Sequence, residues 1–134
     1  MMDEQTQIWN DLFRDMKGTF EDCPARDALR AFYRLMMEFQ DRLDDKHELG
    51  VRIGDSQPGR LTRMEYWEPD LIVFYINTED GPVTVLQNHT QLNCLFVALP
   101  KANRQGPAVR LGFQVPEATG PERVSVECLP KKIS

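Results

Sequence analysis

The spacing of the hydrophobic residues changes near residue 49, from the period of a helix to that of a strand. Before that point, two segments carry apolar side chains three and four residues apart, the spacing that lines one face of an α-helix. After it, apolar and polar residues alternate in short runs that end in clusters of glycine, proline and small polar residues. Helices followed by strands along a chain favour an α+β fold.

The helical part contains two predicted helices. The first spans residues 3–17 and ends at Gly18. The second begins near Pro24, because proline suits the first turn of a helix, and runs to about Asp45. Together the two helices are expected to form a hairpin that covers a sheet.

Six later segments have strand spacing: residues 49–53, 61–67, 71–78, 83–86, 109–115 and 124–128. Short turns join most of them, which favours antiparallel pairing, because parallel neighbours need long crossovers. Residues 89–99 fit either a short helix or a buried strand, and the helix is the preferred interpretation. The predicted fold is an α+β domain with an N-terminal helical hairpin packed on a mainly antiparallel sheet of five to six strands. One short helix is inserted before the last two strands.

Length and composition predict a single domain over residues 1–134, with residues 131–134 as a frayed tail. The net charge of −5, with 16 basic and 21 acidic residues, disfavours direct binding of nucleic acid or an anionic membrane. The N-terminus has no signal-peptide pattern, and the apolar runs are too short to span a bilayer. The protein is therefore expected in the cytoplasm.

The sequence contains no recognisable catalytic motif and no metal or cofactor motif. The three cysteines, Cys23, Cys94 and Cys128, are too far apart for a zinc site and odd in number, so no disulfide framework is expected. Carboxylates near Trp67, including Glu65, are interpreted as solvated residues. We therefore assign no catalytic residue, no metal ligand and no cofactor, and the sequence favours a binding protein over an enzyme without deciding between the two.

Four large side chains lie off the clearest core stripes and are the predicted contacts for a partner protein: Tyr33, Met37, Tyr66 and Trp67. Aromatic residues are enriched where proteins bind one another. The leading hypothesis is a non-enzymatic protein-binding module, a regulator, adaptor or inhibitor of bacterial or mobile-element origin. A homodimer is also considered, in which the strand at residues 124–128 forms the sheet edge and pairs with its copy.

The polar cluster Asn88, His89 and Gln91 supplies the alternative hypothesis. These residues precede an apolar run and are candidates for the wall of a ligand pocket. The protein would then be a small-ligand-binding domain or an enzyme with a pocket near His89. The same side chains also fit a simple helix cap.

Residues 71–101 resemble the centre of an uncharacterised family of small bacterial proteins. The similarity is carried by Trp67-x-Pro69-Asp70-Leu71, Leu86-Gln87-x-His89, Gln91-Leu92-Asn93 and Ala98-Leu99-Pro100. The resemblance implies no established activity and supplies no catalytic or binding residues.

Overall fold

The computed structural model describes residues 23–114 and 123–130. In chain order the elements are α1 (Pro24–Asp41), β1 (His47–Ile53), β2 (Arg60–Trp67), β3 (Leu71–Thr78), β4 (Gly81–Asn88), a 3₁₀ turn (His89–Gln91), β5 (Cys94–Pro100), β6 (Leu111–Gln114) and β7 (Arg123–Pro130). The strands form two antiparallel sheets, one of five strands in the order β4-β3-β2-β7-β6 and one of two strands, β1-β5.

The predicted helical hairpin on a single sheet is wrong. The described residues contain one α-helix, α1, and the strands divide into two sheets. The first of the two predicted helices, at residues 3–17, and the predicted tail at residues 131–134 lie outside the described residues. The helix-then-strand order along the chain gives the molecule an α+β character nevertheless.

Helix α1 forms because its apolar residues recur at helical spacing and Pro24 occupies its first turn. One face of the helix is buried: Ala25, Leu29, Phe32, Tyr33, Met36 and Gln40. The Phe32 ring contacts Phe74 on β3 and Phe96 on β5, with ring centroids 5.0 and 5.4 Å apart. This one side chain therefore joins the helix to both sheets.

Residues 89–99, predicted as a short helix, form a 3₁₀ turn followed by strand β5. The Asn88 side chain accepts a hydrogen bond from the Thr90 N–H at 3.0 Å, so it caps this turn as proposed for a helix. The helical geometry ends after one turn, because Cys94–Pro100 pairs antiparallel with β1. The pairing places Phe96 opposite Val51, where its ring packs against the core, so tertiary packing decides between the two interpretations.

The five-stranded sheet has two different faces. Its inner face lies against α1 and carries Met64 and Tyr66 from β2, Phe74 from β3 and Val126 from β7, all buried. We call the opposite side the outer face. It carries the alternate residues of the same strands, and the candidate site lies there.

The predicted edge position of residues 124–128 is also wrong. Strand β7 lies inside the sheet, with β2 on one side and β6 on the other. Strands β4 and β6 are the edges of the five-stranded sheet. Sequence order suggested the last strand as an edge, but the chain returns to insert β7 between earlier strands.

Candidate functional site

The alternation along β2 places Arg63, Glu65 and Trp67 on the outer face, since Met64 and Tyr66 point into the core. Strand pairing then brings in residues from both neighbours. Tyr75 on β3 lies opposite Arg63, and Ser125 on β7 lies opposite Glu65. We refer to these five residues, Arg63, Glu65, Trp67, Tyr75 and Ser125, as the Glu65 cluster.

Glu65 is the centre of this cluster and is only 1% exposed. Its Oε1 accepts hydrogen bonds from Trp67 Nε1 at 3.0 Å and from the Tyr75 hydroxyl at 2.9 Å. Its Oε2 accepts one from the Ser125 hydroxyl at 2.8 Å. A carboxylate is expensive to remove from water unless hydrogen bonds and charge replace its hydration, and here both carboxylate oxygens have donors.

Arg63 supplies the opposite charge. Its Nη2 lies 3.5 Å from Glu65 Oε2 and donates to Ser125 Oγ at 2.6 Å. The guanidinium carbon lies 5.4 Å from the centre of the Tyr75 ring, which is cation–π distance. Arg63 Nε is buried without a hydrogen-bond partner among the described residues, an arrangement that costs free energy. The network therefore orients side chains at some expense in folding stability.

Trp67 and Arg63 are the parts of the cluster that reach solvent, with 37% of Trp67 and 35% of the Arg63 side chain exposed. The hydrogen bond from Trp67 to Glu65 holds the indole while leaving part of the ring accessible. Leu86 on β4 and Leu129 on β7 are exposed on the same face. A partly exposed tryptophan that is held in one orientation is able to bury against another surface with little loss of side-chain entropy.

The other predicted partner contacts do not share this position. Tyr33 and Tyr66, which the sequence pattern set off the core stripes, are buried in the core. The Tyr33 ring meets the Phe113 ring edge-on, with centroids 4.9 Å apart, and burial raises its pKa to about 12. Met37 is partly buried against the core, and its sulfur lies 3.9 Å from Gln40 Nε2. Of the four candidates, Trp67 belongs to the outer face.

The three pocket candidates lie together in the chain but do not converge. The Asn88 side chain caps the 3₁₀ turn, and Gln91 is exposed. His89 is partly buried, with its Nδ1 3.6 Å from Asp70 Oδ1. That nitrogen is buried and has no hydrogen-bond partner among the described residues. His89 is thus the only member of the trio whose side chain is directed into the protein with hydrogen-bonding capacity unused there.

The β2–β3 turn brings Cys23 into the neighbourhood of His89, which the sequence did not indicate. The Pro69 carbonyl accepts from Ala25 N–H, and the Asp70 carbonyl accepts from His89 N–H, both at 2.9 Å. Cys23 is fully buried, with Sγ 3.7 Å from the Pro69 oxygen, and burial raises its thiol pKa. A protonated, buried thiol is a poor nucleophile, so this arrangement does not support cysteine catalysis.

Within residues 23–114 and 123–130, no group of three or more His, Cys, Asp or Glu side chains is placed to hold a metal ion. No helix in that part of the chain is long and apolar enough to cross a membrane.

Comparison with known proteins gives no relative: no protein-family model, curated protein or solved structure matches the chain. The assignment of a function therefore rests on the geometry of this molecule.

Sequence reasoning missed most of the Glu65 cluster. Glu65 was interpreted as a solvated carboxylate, whereas it is buried. The available signal was the alternation of Arg63, Glu65 and Trp67 along one strand face. Tyr75 and Ser125 reach the cluster only through strand pairing, which a pattern within one segment cannot reveal.

Proposed function

We propose that this protein is a non-enzymatic protein-binding module that uses the outer face around Trp67 to hold its partner. It would act as a regulator, adaptor or inhibitor in the cytoplasm of a bacterium or as the product of a mobile element. The bacterial origin is proposed on the resemblance of residues 71–101. The cytoplasmic setting is proposed on the three free cysteines and the composition of the chain.

One observation carries the proposal: Trp67 is exposed and held by the buried Glu65 carboxylate. Tryptophan residues that fill a partner's pocket often dominate the binding free energy, and orientation before binding lowers the entropy lost. The exposed Leu86 lies on the same face, on β4.

The test is a quantitative pull-down from native lysate with three tagged baits: wild type, Trp67→Ala and Leu35→Ala. Leu35 is a matched control, because it is exposed and apolar but lies on α1. We expect at least one protein to be retained by wild type and by Leu35→Ala and lost with Trp67→Ala. A partner retained equally by all three baits would contradict the assignment of the outer face. No partner at all, where a control bait succeeds, would contradict the function itself.

A second candidate is binding of a small polar ligand beside His89. The specific observation is the buried Nδ1 that lacks a hydrogen-bond partner among the described residues and faces Asp70 at 3.6 Å. A ligand hydroxyl or amide that reached Nδ1 would supply the missing hydrogen bond. This hypothesis predicts a metabolite that raises the thermal midpoint of wild type and not that of His89→Ala. A midpoint shift that persists in His89→Ala would place the ligand elsewhere.

A further inference from the structure

Strand β4 is an edge of the five-stranded sheet. On the side away from β3, its backbone N–H and C=O groups pair with no strand in the described part of the chain. The pairing of β3 with β4 runs without a bulge from Thr78↔Gly81 to Leu71↔Asn88. Directly after that last pair, His89 N–H donates to the Asp70 carbonyl at 2.9 Å. This bond continues the ladder, so the odd-numbered residues of β4 direct their backbone groups towards β3. Because hydrogen-bonded and non-hydrogen-bonded pairs alternate, the even-numbered residues of β4 direct their N–H and C=O groups outward.

Four residues therefore form the free edge: Pro82, Thr84, Leu86 and Asn88. Proline is tolerated in a sheet where its missing N–H would face away from the neighbouring strand, and Pro82 satisfies that condition. Thr84 and Leu86 retain outward N–H groups. This edge is therefore able to accept another strand along most of its length, with Pro82 marking one limit.

The chemistry of β4 favours a second copy of this chain as that strand. None of its eight residues, Gly81–Asn88, is ionisable, so antiparallel pairing with itself brings no like charges together. Exposed edges in soluble proteins are commonly protected by lysine or another charge, and β4 has neither. Its Leu86 side chain is 61% exposed and Val83 is exposed too. The acidic Glu79-Asp80 turns of two antiparallel copies would lie at opposite ends of the joined strands.

The other free edges fit less well. In β5, the Pro100 carbonyl already accepts a hydrogen bond from Arg60 Nη2 at 2.8 Å. Strand β6 has four residues, too few for an extended ladder.

We propose that two copies of this protein pair through the edges of β4, antiparallel about a twofold axis, joining two five-stranded sheets into one continuous sheet. The register that uses the outward groups without needing an N–H from Pro82 places Leu86 against Leu86 of the second copy. Thr84 then lies opposite Asn88. This interface does not involve Trp67 and stands independently of the proposed partner site.

Sedimentation equilibrium of the full chain tests the dimer, with Leu86→Lys as the disrupting variant and Leu35→Lys as the control. Leu35 is 56% exposed, close to Leu86, and lies on the helix. Two lysines facing each other at the axis should weaken dimerisation by about tenfold or more, whereas Leu35→Lys should change it by less than about twofold. Trp67→Ala should leave dimerisation unchanged, which separates a failure of this interface from a failure of the partner site.

Amide hydrogen exchange on the wild-type protein gives a test that needs no variant. The Thr84 and Leu86 amides should become protected as protein concentration rises, while the Val83 and Val85 amides, bonded to β3, stay protected throughout. A monomer at every concentration up to about 1 mM, near the weak limit of specific association, would overturn the proposal. A dimer in which the Thr84 and Leu86 amides exchange freely would also overturn it. So would protection of both amides on adding a captured partner protein, at concentrations where this chain alone is monomeric.

Discussion

Glu65 shows how a single buried carboxylate is able to organise an exposed side chain. Taking a carboxylate out of water costs several kcal/mol unless its hydrogen bonds are replaced. Here Trp67, Tyr75 and Ser125 replace them, and Arg63 supplies the opposite charge. An apolar residue at this position would fill the same space without the desolvation cost. The carboxylate is therefore best understood as a positioning residue for the indole of Trp67.

Replacing Glu65 by glutamine tests this role. Glutamine keeps the size and one acceptor oxygen but removes the charge facing Arg63, so we expect the free energy of unfolding to fall by about 1–3 kcal/mol. The Trp67 indole should also become more mobile, seen as lower fluorescence anisotropy in a Trp9→Phe background. Urea denaturation and anisotropy decay measure the two effects.

The control for this experiment is Glu38→Gln. Glu38 lies in an exposed pair with Arg34, with 3.6 Å between Arg34 Nε and Glu38 Oε1. Such surface pairs contribute about 0–1 kcal/mol, so this variant should be nearly as stable as wild type. Equal losses in the free energy of unfolding in the two variants would show that the carboxylate does not hold Trp67. Unchanged mobility of the Trp67 indole in Glu65→Gln would show the same.

Among the elements, the segment at residues 101–110 has no strand partner, and hydrogen bonds with side chains hold it and the start of β6 against α1 and β1. Glu48 on β1 accepts from the Val109 and Ala102 N–H groups at 2.6 and 3.1 Å. At the end of α1, the Gln40 amide exchanges two hydrogen bonds with the backbone of Leu111, at 2.9 and 3.2 Å. Arg110 donates to three carbonyls that follow the helix, those of Leu43, Asp44 and His47. This segment links β5 to β6 and so ties the two sheets together.

Lowering the pH should weaken the attachment of residues 101–111 to β1, because Glu48 becomes protonated. Burial alone would raise the pKa of Glu48, but hydrogen bonds from the Val109 and Ala102 N–H groups and from Arg60 bring it below its ordinary value. A depressed folded-state pKa contributes stability above the unfolded pKa of about 4.3, and that contribution is lost as the pH falls through the folded pKa. Glu48→Gln should therefore be less stable than wild type at pH 7, with a gap that narrows below about pH 4. If the free energies of unfolding of wild type and Glu48→Gln differ by the same amount from pH 7 to pH 3, the proposed role of the Glu48 carboxylate is contradicted.

Gly59 permits the close approach of β1, β2 and β3 at one corner. It exchanges two backbone hydrogen bonds with Val51, and a Cβ at Gly59 would collide with the carbonyl oxygen of Asn77. Backbone cannot move aside as a side chain does, so Gly59→Ala should lower the free energy of unfolding by about 1–3 kcal/mol. In Gly106→Ala the new Cβ would meet only the end of the Asn103 side chain, and the loss should stay within about 0.5 kcal/mol. Thermal or urea unfolding measures both variants. Similar losses in the free energy of unfolding for Gly59→Ala and Gly106→Ala would show that the corner tolerates a side chain at Gly59.

Sequence patterns located the described elements better than they located their partners. The apolar and β-branched content of residues 71–78 predicted β3 at its observed bounds, and the other strand patterns placed β1, β2 and β7 within a few residues. The same patterns carried no information on the separation of β1 and β5 into a second sheet or on the interior position of β7, because both depend on pairing between distant segments. The apolar run in β5 was ambiguous for a further reason: Leu95, Phe96 and Leu99 suit one face of a helix as well as a strand.

The candidate site shows the same division. Trp67 was selected from its residue type and from its position off the core stripes, and the structure places it on an accessible face. Tyr66, its neighbour, was selected on the same grounds and is buried, because β2 alternates between the core and the outer face. Only the strand's orientation distinguishes the two, and that orientation depends on which face α1 covers.

At the scale of the whole molecule, the sheet separates two tasks. Its inner face, with α1, forms the core, and its outer face presents Trp67 above a buried polar network. Pairing through β4 would extend the outer face across two copies and place two Trp67 sites on one sheet. A partner with two matching sites would then bind more tightly to the dimer than to either copy alone.

The central claim is that Trp67 anchors a partner protein, and the most direct test is the affinity of the captured partner for Trp67→Ala. Isothermal titration should show a loss of at least about 2 kcal/mol, roughly 30-fold in Kd, as expected for a tryptophan anchor. Leu35→Ala should bind within about twofold of wild type, and Glu65→Gln should give an intermediate loss if the carboxylate orients the indole. A Trp67→Ala protein that remains folded and binds the partner within about twofold of wild type would contradict the account.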